Sequence, residues 1–403
     1  MPIPTTGDTR PNPFTAVADG ERHAIYAELT GKGPVHRVTL PTGRQGWMVT
    51  SHAEARALLS DPRLVKGGWQ TGVYASKLGE DTARAIHTSM LHSDPPDHTR
   101  LRKLITSVFT RRRVEMLAPG IQQMTGDLLD ALGGQDVADL VPALAVPLPI
   151  NVICELIGIP MEARPDFRSW TPLIVSPDIH GFEEYQRAAL SMLAYTRGLI
   201  EDKRRKPRND LLSDLIAARD GEHRLSEDEL TSMVYLLVIA GHETAAHLIA
   251  NGVRALLTHP GQLALVRERP ELLEPAIEEM LRYDGPLQNT LPYWTAEPVE
   301  VGGVTIPAGE LVIVALTAAN RDPAQFPGGD VLDITREAPA HTAFGHGLHY
   351  CVGAPLARTE ARIALGMLLD RYPALRLAVP PGTLTRTASL LINGLDALPV
   401  HLR

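Results

Sequence analysis

Hydrophobic residues recur every three or four positions over most of the first two-thirds of the chain, which is the spacing of amphipathic helices. Helices are therefore predicted in segments that begin near residues 52, 98, 121, 148, 183 and 209. Short β-branched runs at 35–40 and 46–50 flank PTGRQ and predict a hairpin. Further β-rich runs lie near 287–315 and 375–403. The pattern predicts a mainly α fold with a smaller β region.

One apolar helix is predicted to be longer than the others. It follows Ser226, and Glu229 three residues later completes a capping-box pattern that marks a helix start. Apolar periodicity continues through Leu256 and ends at a His-Pro dipeptide. At 1.5 Å per residue, roughly thirty residues give a rod of about 45 Å, long enough to cross a domain.

Composition narrows the class of protein. The 403 residues are 44% hydrophobic. Length alone would suggest two or three domains, but no repeat, low-complexity tract or domain boundary is visible. A net charge of -8 argues against a chain built to bind nucleic acid. The N-terminal residues lack the apolar core of a signal peptide, and no run of eighteen apolar residues occurs. These features indicate a cytoplasmic protein that does not enter a membrane.

The chain has two cysteines, and the one in a glycine-rich stretch calls for a functional explanation. Cys154 lies in the apolar run INVICELIGIP, where a thiol is a small hydrophobe. Cys351 lies in FGHGLHYCVGAPLAR, between glycines and a helix whose start Pro355 favours. The N-terminal end of a helix stabilises a thiolate, the form that binds metal or attacks carbon. The stretch therefore predicts a functional cysteine beside a flat ligand that the glycines allow to approach.

Other roles for Cys351 stay open on these grounds. A zinc site with His346 and His349 would need a fourth ligand, and no second Cys or His pair supports it. A cysteine hydrolase would need a histidine base, and fifteen histidines leave that choice open. A buried thiol beside a glycine turn is the simplest interpretation of an isolated Cys-Gly pair, but it does not explain the spacing of the phenylalanine, the glycines and the histidines.

The second unusual segment is AGHETA, in the middle of the long helix. Gly241 costs about 1 kcal/mol relative to Ala in a helix, and burying Glu243 is unfavourable unless the carboxylate is paired. Thr244 is expected to bond the carbonyl of Ala240 and open the helix there, which leaves a groove for water or a diatomic ligand. The alternative is a polar stripe on a half-exposed helix, although four apolar residues directly precede the segment.

Two further pairs carry little information alone. Glu279 and Arg282 are three residues apart on one face of a predicted helix, which is a common arrangement. In DPPDHTRLRK, His98 and Arg102 are four apart, and two cations on one face are unfavourable unless an anion lies beside them. A ligand with carboxylates would satisfy the second pair, while a solvated basic face is the simpler alternative.

Taken in chain order, these segments resemble the cytochrome P-450 superfamily of haem-thiolate enzymes, in particular the soluble actinobacterial members that oxidise natural products. The resemblance runs nearly end to end and rests on DPPDHTRLRK, AGHETA, EMLR, NRDPAQF and HTAFGHGLHYCVGAPLAR. It implies the cytochrome P-450 fold, a triangular single domain with a long central helix over the haem. In that fold Glu279 and Arg282 would be a structural pair bonded to the segment ahead of the cysteine loop.

The resemblance makes haem b the cofactor and Cys351 its axial thiolate ligand, which donates electron density and favours O–O cleavage. Phe344 would pack beside the sulfur, and the other residues implied to border the haem or its propionates are Gly345, Gly353, His349, His98 and Arg102. One position departs from the family, because this chain has Tyr293 where an arginine usually contacts a propionate. We expect weaker anchoring of the haem at that point.

Roles on the long helix follow from the same resemblance. Thr244 and Glu243 would deliver protons to the oxygen-binding side of the haem. Ala240 and Gly241 would form a kinked groove for oxygen. This arrangement is typical of an enzyme that uses O2 and not hydrogen peroxide.

The implied reaction is monooxygenation. Two electrons from NAD(P)H would arrive through a separate ferredoxin and reductase, and one oxygen atom of O2 would be inserted by hydroxylation or epoxidation. The protein is expected to be a monomer. A basic docking face for the ferredoxin would include Lys103, Arg111, Arg112, Arg113 and Arg358, although solvated surface charge is the simpler interpretation of these residues. Two rival classes remain, a peroxide-using haem-thiolate peroxygenase and a non-catalytic haem-binding protein.

The implied substrate is a sizeable lipophilic molecule such as a macrolide, another polyketide, a steroid or a terpenoid. The segments 65–91 and 170–185 would enclose it. The individual residues implied to line the pocket are Met90, Leu91, Ile239, Asn289, Thr290 and Leu391. Among them, Asn289 and Thr290 are the candidates for polar contact with the substrate.

Overall fold

The computed structural model describes residues 12–67, 77–219, 225–337 and 340–403, apart from the side chain of residue 178. Helices dominate, which confirms the predicted mainly α fold. Part of the segment 65–91, expected to enclose substrate, lies outside the described residues. The chain forms two compact units: the first comprises 1–64, 121–148 and 244–403, and the second comprises 65–120 and 149–243. The single domain over 1–403 stays a prediction.

The helices fall close to the segments with helical periodicity. In chain order they are α1 Glu21–Lys32, α2 His52–Leu59, α3 Glu80–His87, α4 Asp97–Val108, α5 Arg111–Asp130, α6 Pro147–Ile157, α7 Arg164–Val175, α8 Pro177–His180, α9 Phe182–Arg205, α10 Leu211–Arg219, α11 Glu227–Thr258, α12 Pro260–Glu268, α13 Leu273–Asp284, α14 Leu316–Ala319 and α15 Ala354–Arg371.

The strands are short and lie mostly in the second half of the chain. They are β1 Val35–Thr39, β2 Gln45–Val49, β3 Leu64–Val65, β4 Val137–Asp139, β5 Tyr293–Thr295, β6 Val299–Val301, β7 Val304–Ile306, β8 Leu311–Val314, β9 Arg376–Leu377 and β10 Pro399–His401.

In the first unit, β1 and β2 form the hairpin that the sequence predicts, with Val35 opposite Val49 and Thr39 opposite Gln45. Strand β2 pairs in parallel with β8, and β8 pairs antiparallel with β5, so the order is β1-β2-β8-β5. Side chains alternate across a strand. Met48 accordingly packs in one hydrophobic cluster and Val49 in another, so the sheet is covered by apolar side chains on both faces.

A buried polar network ties the N-terminal segment of the first unit to its C-terminal segment. Arg22 is 1% exposed and donates to the Asn393 side chain at 2.9 Å and to the Thr387 carbonyl at 3.0 Å. Asp284 accepts hydrogen bonds from Arg386 at 2.6 Å and from Asn393 at 2.8 Å. Burial alone would raise the pKa of Asp284, but the charge of Arg386, the hydrogen bond from His23 and the charge of Arg254 lower it well below the ordinary value. These charges are paired, as buried charges must be.

The second unit is helical. Helix α9 packs against α7 and α10, and α10 packs against α4. An ion pair from Arg113 to Asp214, 2.5 Å long, joins the start of α5 to α10. Cys154 in α6 is fully buried, and burial raises the pKa of its thiol to about 12. Cys154 is therefore a packing residue, as its apolar surroundings in the sequence predict.

Helix α11 begins in the second unit and ends in the first. The predicted capping box is confirmed, because Glu229 N–H donates to Ser226 Oγ at 3.1 Å and Ser226 N–H donates to a Glu229 carboxylate oxygen at 2.8 Å. The helix has 32 residues. Within the described residues it is the one helix long and apolar enough to cross a membrane, but 67% of its most apolar window is buried inside the protein. A buried core helix has this character.

Candidate active site

The cysteine loop is a tight turn that presents Cys351 to solvent. Gly345 and Gly347 have φ values of 73° and 67°, which lie in the region that favours glycine. The N–H of Cys351 donates to the Phe344 carbonyl at 2.9 Å and closes the loop. Cys351 is exposed, three residues before α15 begins at Ala354. The loop thus holds a thiol at the N-terminal end of a helix, as the sequence predicts.

Glycine is required at position 347 of this loop for a different reason than at position 353. A Cβ on Gly347 would meet the carbonyl oxygen of Leu59, so no larger residue fits there. Gly353 has an ordinary φ of -79°, and a Cβ there would lie 3.7 Å from the Cys351 sulfur. Among the described residues, the Cys351 sulfur is thus the one atom within 4 Å of a Cβ at Gly353, and the glycine keeps the backbone beside the sulfur free of a side chain.

An ion pair between Arg358 and Glu278 lies beside the cysteine loop within the first unit. Arg358 in α15 donates to both carboxylate oxygens of Glu278 at 2.6 and 2.8 Å, and its guanidinium lies 4.5 Å from the centre of the Phe344 ring. His341 contacts the same carboxylate at 3.2 Å. Burial alone would raise the pKa of Glu278, but the bonds from Arg358 and His341 lower it to about 2. The Arg358 charge is therefore satisfied within the protein, which argues against its predicted place in a docking face.

Tyr293 and His349 lie together in the first unit. The two rings are 6.0 Å apart between centroids and meet edge to face at 65°. Tyr293 is 6% exposed and lies in strand β5, while His349 ends the short 3-10 turn Gly347–His349 of the cysteine loop. The tyrosine at the family's usual arginine position thus contacts a residue predicted to bind a propionate.

His98 and Arg102 lie on one face of α4 in the second unit. His98 is 1% exposed. Burial, and next the positive charge of Arg102, lower the pKa of His98 below its ordinary value. The imidazole is therefore neutral near pH 7 and able to donate one hydrogen bond. Arg102 supplies the charge of the pair.

Helix α11 carries a stripe of accessible positions in an otherwise buried stretch. Apart from Gly241, the accessible residues follow the spacing of one helix face and are Leu236, Ile239, Ala240, Glu243 and Thr244. Glu243 is half-buried, and its carboxylate lies 3.9 Å from the His242 Nε2. His242 is buried and its Nδ1 bonds the Val238 carbonyl at 2.8 Å. Of the residues predicted to handle oxygen and protons, Ala240, Glu243 and Thr244 therefore share one accessible face, and Gly241 does not.

Gly241 has a packing role that the sequence interpretation missed. A Cβ at this position would lie 2.7 Å from Ile153 Cδ1 in α6, closer than real Cβ contacts. The glycine therefore lets α6 approach α11 within the second unit. The predicted opening of the helix at Ala240 is not seen as a break, because Glu227–Thr258 is α-helical throughout.

Glu279 and Arg282 are fully buried, not an exposed pair. Their side chains form two hydrogen bonds of 2.7 Å. Arg282 also donates to the carbonyls of Asn320, Gly329 and Val331. The structure thus bonds this pair to residues 320–331, ahead of the cysteine loop. Five satisfied donors explain how a buried guanidinium is tolerated.

Asn289 was predicted to contact substrate, and the structure corrects this. The side chain has 0% exposure, donates to the Leu390 carbonyl at 2.7 Å and accepts from the Tyr26 hydroxyl at 3.2 Å. Thr290 accepts from the N–H of Val314 at 3.1 Å. The Asn289 amide is therefore used inside the protein, where it holds the C-terminal segment that contains Leu391. The half-buried Thr290 hydroxyl accepts one bond, and its contact with substrate stays a prediction.

The other residues predicted to line the substrate pocket differ in their exposure. Met90 is 7% exposed, whereas Leu91, Ile239 and Leu391 are half-buried and accessible in part. For zinc, no group of three or more His, Cys, Asp or Glu side chains that could hold a metal ion occurs among the described residues. A single thiolate on a glycine loop is instead the protein donor expected for haem iron.

Several supporting residues escaped sequence reasoning. Glu278, which binds Arg358, directly precedes Glu279. The sequence alone does not show which of these two glutamates is fully buried. Gln288 donates to the carbonyls of Ser389 and Ile392, and it accepts from Tyr26 at 3.2 Å. These partners are far apart in sequence, so no local pattern marks them.

Comparison with known proteins places this site in a family. Residues 167–391 match the family described as cytochrome P-450. Cytochrome P-450 107B1 of Saccharopolyspora erythraea is 48% identical over 387 residues, covering 94% of this chain and 95% of that protein. The 6-deoxyerythronolide B hydroxylase of the same organism is 45% identical, covering 94% and 96%. The tirandamycin C-bound P-450 monooxygenase TamI superposes with a TM-score of 0.88 at 44% identity, covering 94% and 97%.

The chain belongs to the cytochrome P-450 family. It is a monooxygenase, an oxidoreductase of the type found in natural-product biosynthesis. The family uses haem b, O2 and electrons derived from NAD(P)H. Enzymes of this type act on small molecules and receive electrons from redox partners such as ferredoxin.

Proposed function

We propose that this protein hydroxylates or epoxidises a lipophilic natural product, with Cys351 as the axial thiolate ligand of haem b. The observation that supports this most directly is the exposed Cys351 thiol on a closed glycine loop at the start of α15. The helix end favours the anionic form of the sulfur. Gly353 places no side chain beside that sulfur, which suits the close approach of a flat ligand.

The residues present fit haem in both units taken separately. In the first unit, Phe344, Gly345 and Gly353 belong to the loop that carries the sulfur, while His349 and Tyr293 offer polar groups for a propionate. In the second unit, a neutral His98 and a charged Arg102 suit a carboxylate. When bound, haem supplies the redox-active iron at which O2 is reduced.

The protein's part in proton supply falls to α11. Glu243 is an accessible carboxyl group and Thr244 an accessible hydroxyl on successive residues. A carboxyl group takes up protons from water, and a hydroxyl passes them on by accepting one proton and donating another. Proton supply to the site is therefore assigned to these two side chains.

Substrate and partner are proposed from the relatives and from the surface. One relative is named for hydroxylation of 6-deoxyerythronolide B and one neighbour was solved with tirandamycin C. A polyketide or macrolide is therefore the proposed substrate class, in contact with Ile239 of the second unit. Electrons are proposed to come from a ferredoxin and its reductase, and the protein to act in the cytoplasm as a monomeric catalytic domain over 1–403.

Replacement of Thr244 by Ala tests the proposed use of O2. We expect the variant to consume NAD(P)H at a similar rate but to release more of the electrons as hydrogen peroxide and less as product. Addition of hydrogen peroxide in place of O2 and reductant should give wild type and variant similar product yields. Unchanged coupling in the variant would show that protons arrive by another route.

A further inference from the structure

Tyr235 is a buried phenol that the proposed mechanism does not use. It lies in α11, one turn before Ile239 and beside the accessible stripe of that helix. The residue is 3% exposed. Residues four apart on a helix are neighbours on its surface. Tyr235 therefore borders the face on which substrate contact is proposed.

The hydroxyl of Tyr235 has no hydrogen-bond partner in the part of the chain that the structure describes. Ser232, one turn earlier on the same helix, shows the usual alternative, because its hydroxyl donates to the Ile86 carbonyl at 2.6 Å. An unsatisfied buried hydroxyl is unfavourable and rare in native proteins. Its retention indicates a partner that binds from outside the chain.

The chemistry of that partner follows from the state of the phenol. Burial, and next the nearby Tyr185, hold the pKa of Tyr235 well above its ordinary value. The phenol therefore keeps its proton at any pH near neutrality and acts as a donor. A matching ligand atom is an acceptor, and in an apolar setting a neutral carbonyl, ether or hydroxyl oxygen costs less to bury than a carboxylate.

We infer that Tyr235 is a specificity-determining residue that donates a hydrogen bond to a neutral oxygen of the substrate. The inference rests on the proposed function and deepens it, because it selects oxygen-bearing molecules such as polyketides over hydrocarbons of equal size. A site built to bond an oxygen rejects the analogue that lacks it, since the buried hydroxyl is then left unsatisfied.

A matched pair of probes tests this selection on the haem-loaded protein. Cyclododecanone and cyclododecane have the same ring size and differ by one carbonyl oxygen. Titration is followed by the shift of the haem from low to high spin. We expect wild type to bind the ketone roughly three- to tenfold more tightly, the worth of one neutral hydrogen bond. Tyr235→Phe should lose this preference and keep its affinity for the hydrocarbon.

Thermal unfolding without ligand gives a second readout. Tyr235→Phe removes an unsatisfied hydroxyl, so its Tm should rise above that of wild type. Tyr372→Phe is the matched control, because the Tyr372 hydroxyl donates to the Leu129 carbonyl at 3.0 Å and its loss should lower Tm. Higher stability with weaker ketone binding is a combination that a merely structural tyrosine would not produce.

Three results would overturn the inference. The first is equal affinity of wild type for the two probes, or no binding of the ketone. The second is a preference for the ketone that Tyr235→Phe retains, and the third is a lower Tm for Tyr235→Phe than for wild type. Preference retained in the variant would mean that another group binds the oxygen or that water satisfies Tyr235. Failure of the proposed function would give a different result. Both wild type and Tyr235→Phe would then lack the spectrum of a haem-thiolate protein.

Discussion

Arg358 and Glu278 form a two-pronged ion pair that holds the Phe344 ring beneath the guanidinium, with hydrogen bonds of 2.6 and 2.8 Å. The pair joins α15 to α13 and fixes one wall of the cysteine loop within the first unit. Planar, two-pronged pairs of this kind combine energy with orientation.

The pair gives the protein a specific sensitivity to acid. The pKa of Glu278 is lowered from 4.5 to about 2, so its stabilising effect is fully present above about pH 4.5 and is lost as pH falls towards 2. We expect Glu278→Gln to lower the free energy of unfolding at pH 7 by about 1–3 kcal/mol, a range discounted for partial exposure. Urea unfolding at several pH values should show this difference shrinking towards pH 2. A difference independent of pH would contradict the assignment.

The buried pair of Glu279 and Arg282 should be far more sensitive than a surface pair. Arg282→Met leaves the Glu279 carboxylate buried without its main counter-charge, and we expect a loss of about 3–5 kcal/mol in the free energy of unfolding. Arg269→Met is the control, because Arg269 and Glu271 are 55% and 65% exposed and the pair should contribute little. Similar midpoints of urea unfolding for both variants would refute this ranking.

Gly241 is expected to be required for the stability of the fold, because α6 packs directly against it. Gly241→Ala places a methyl group against Ile153, and we expect about 1–3 kcal/mol of destabilisation even though Ala favours the helix. Combination with Ile153→Ala should show a favourable coupling of about 0.5–3 kcal/mol. Gly31→Ala is the control, because nothing lies within 4 Å of a Cβ at that helical position, and the variant should be slightly more stable. Additive effects of Gly241→Ala and Ile153→Ala would rule out the contact.

The arginines at 111–113 should divide into different roles. Arg113 is 16% exposed and bonded to Asp214, and Arg111 is paired with Glu115, whereas Arg112 is exposed. We expect Arg112→Ala to lower kcat/KM for a ferredoxin, by an amount that falls as salt rises, and to leave peroxide-driven turnover unchanged. Arg113→Ala should instead lower Tm. Equal losses with ferredoxin and with peroxide would exclude a docking role for Arg112.

Local patterns predicted much of the fold because their causes are local. The capping box of Ser226 and Glu229 and the hairpin of β1 and β2 each depend on residues close in sequence, and both were confirmed. The role of Asn289 depends on Leu390, 101 residues away, and no periodicity reports such a contact. Only the folded chain shows that its amide is already used.

The candidate site divides in the same way. The cysteine loop is one continuous segment, so its glycines and Cys351 were visible together. The packing of Gly241 on Ile153 joins two helices, and the sequence offered only a reason based on chemistry. The orphan hydroxyl of Tyr235 is invisible in sequence, because a tyrosine in an apolar helix is usually a core residue with a bonded hydroxyl.

The central claim is that Cys351 ligates haem iron through its thiolate. The carbon monoxide difference spectrum of the reduced protein tests it most directly, with Cys154→Ser as a matched control for loss of a thiol. We expect wild type and Cys154→Ser to show the Soret band of a thiolate-ligated haem, and Cys351→Ser to lack it. Absence of that band in wild type, or its persistence in Cys351→Ser, would contradict the claim.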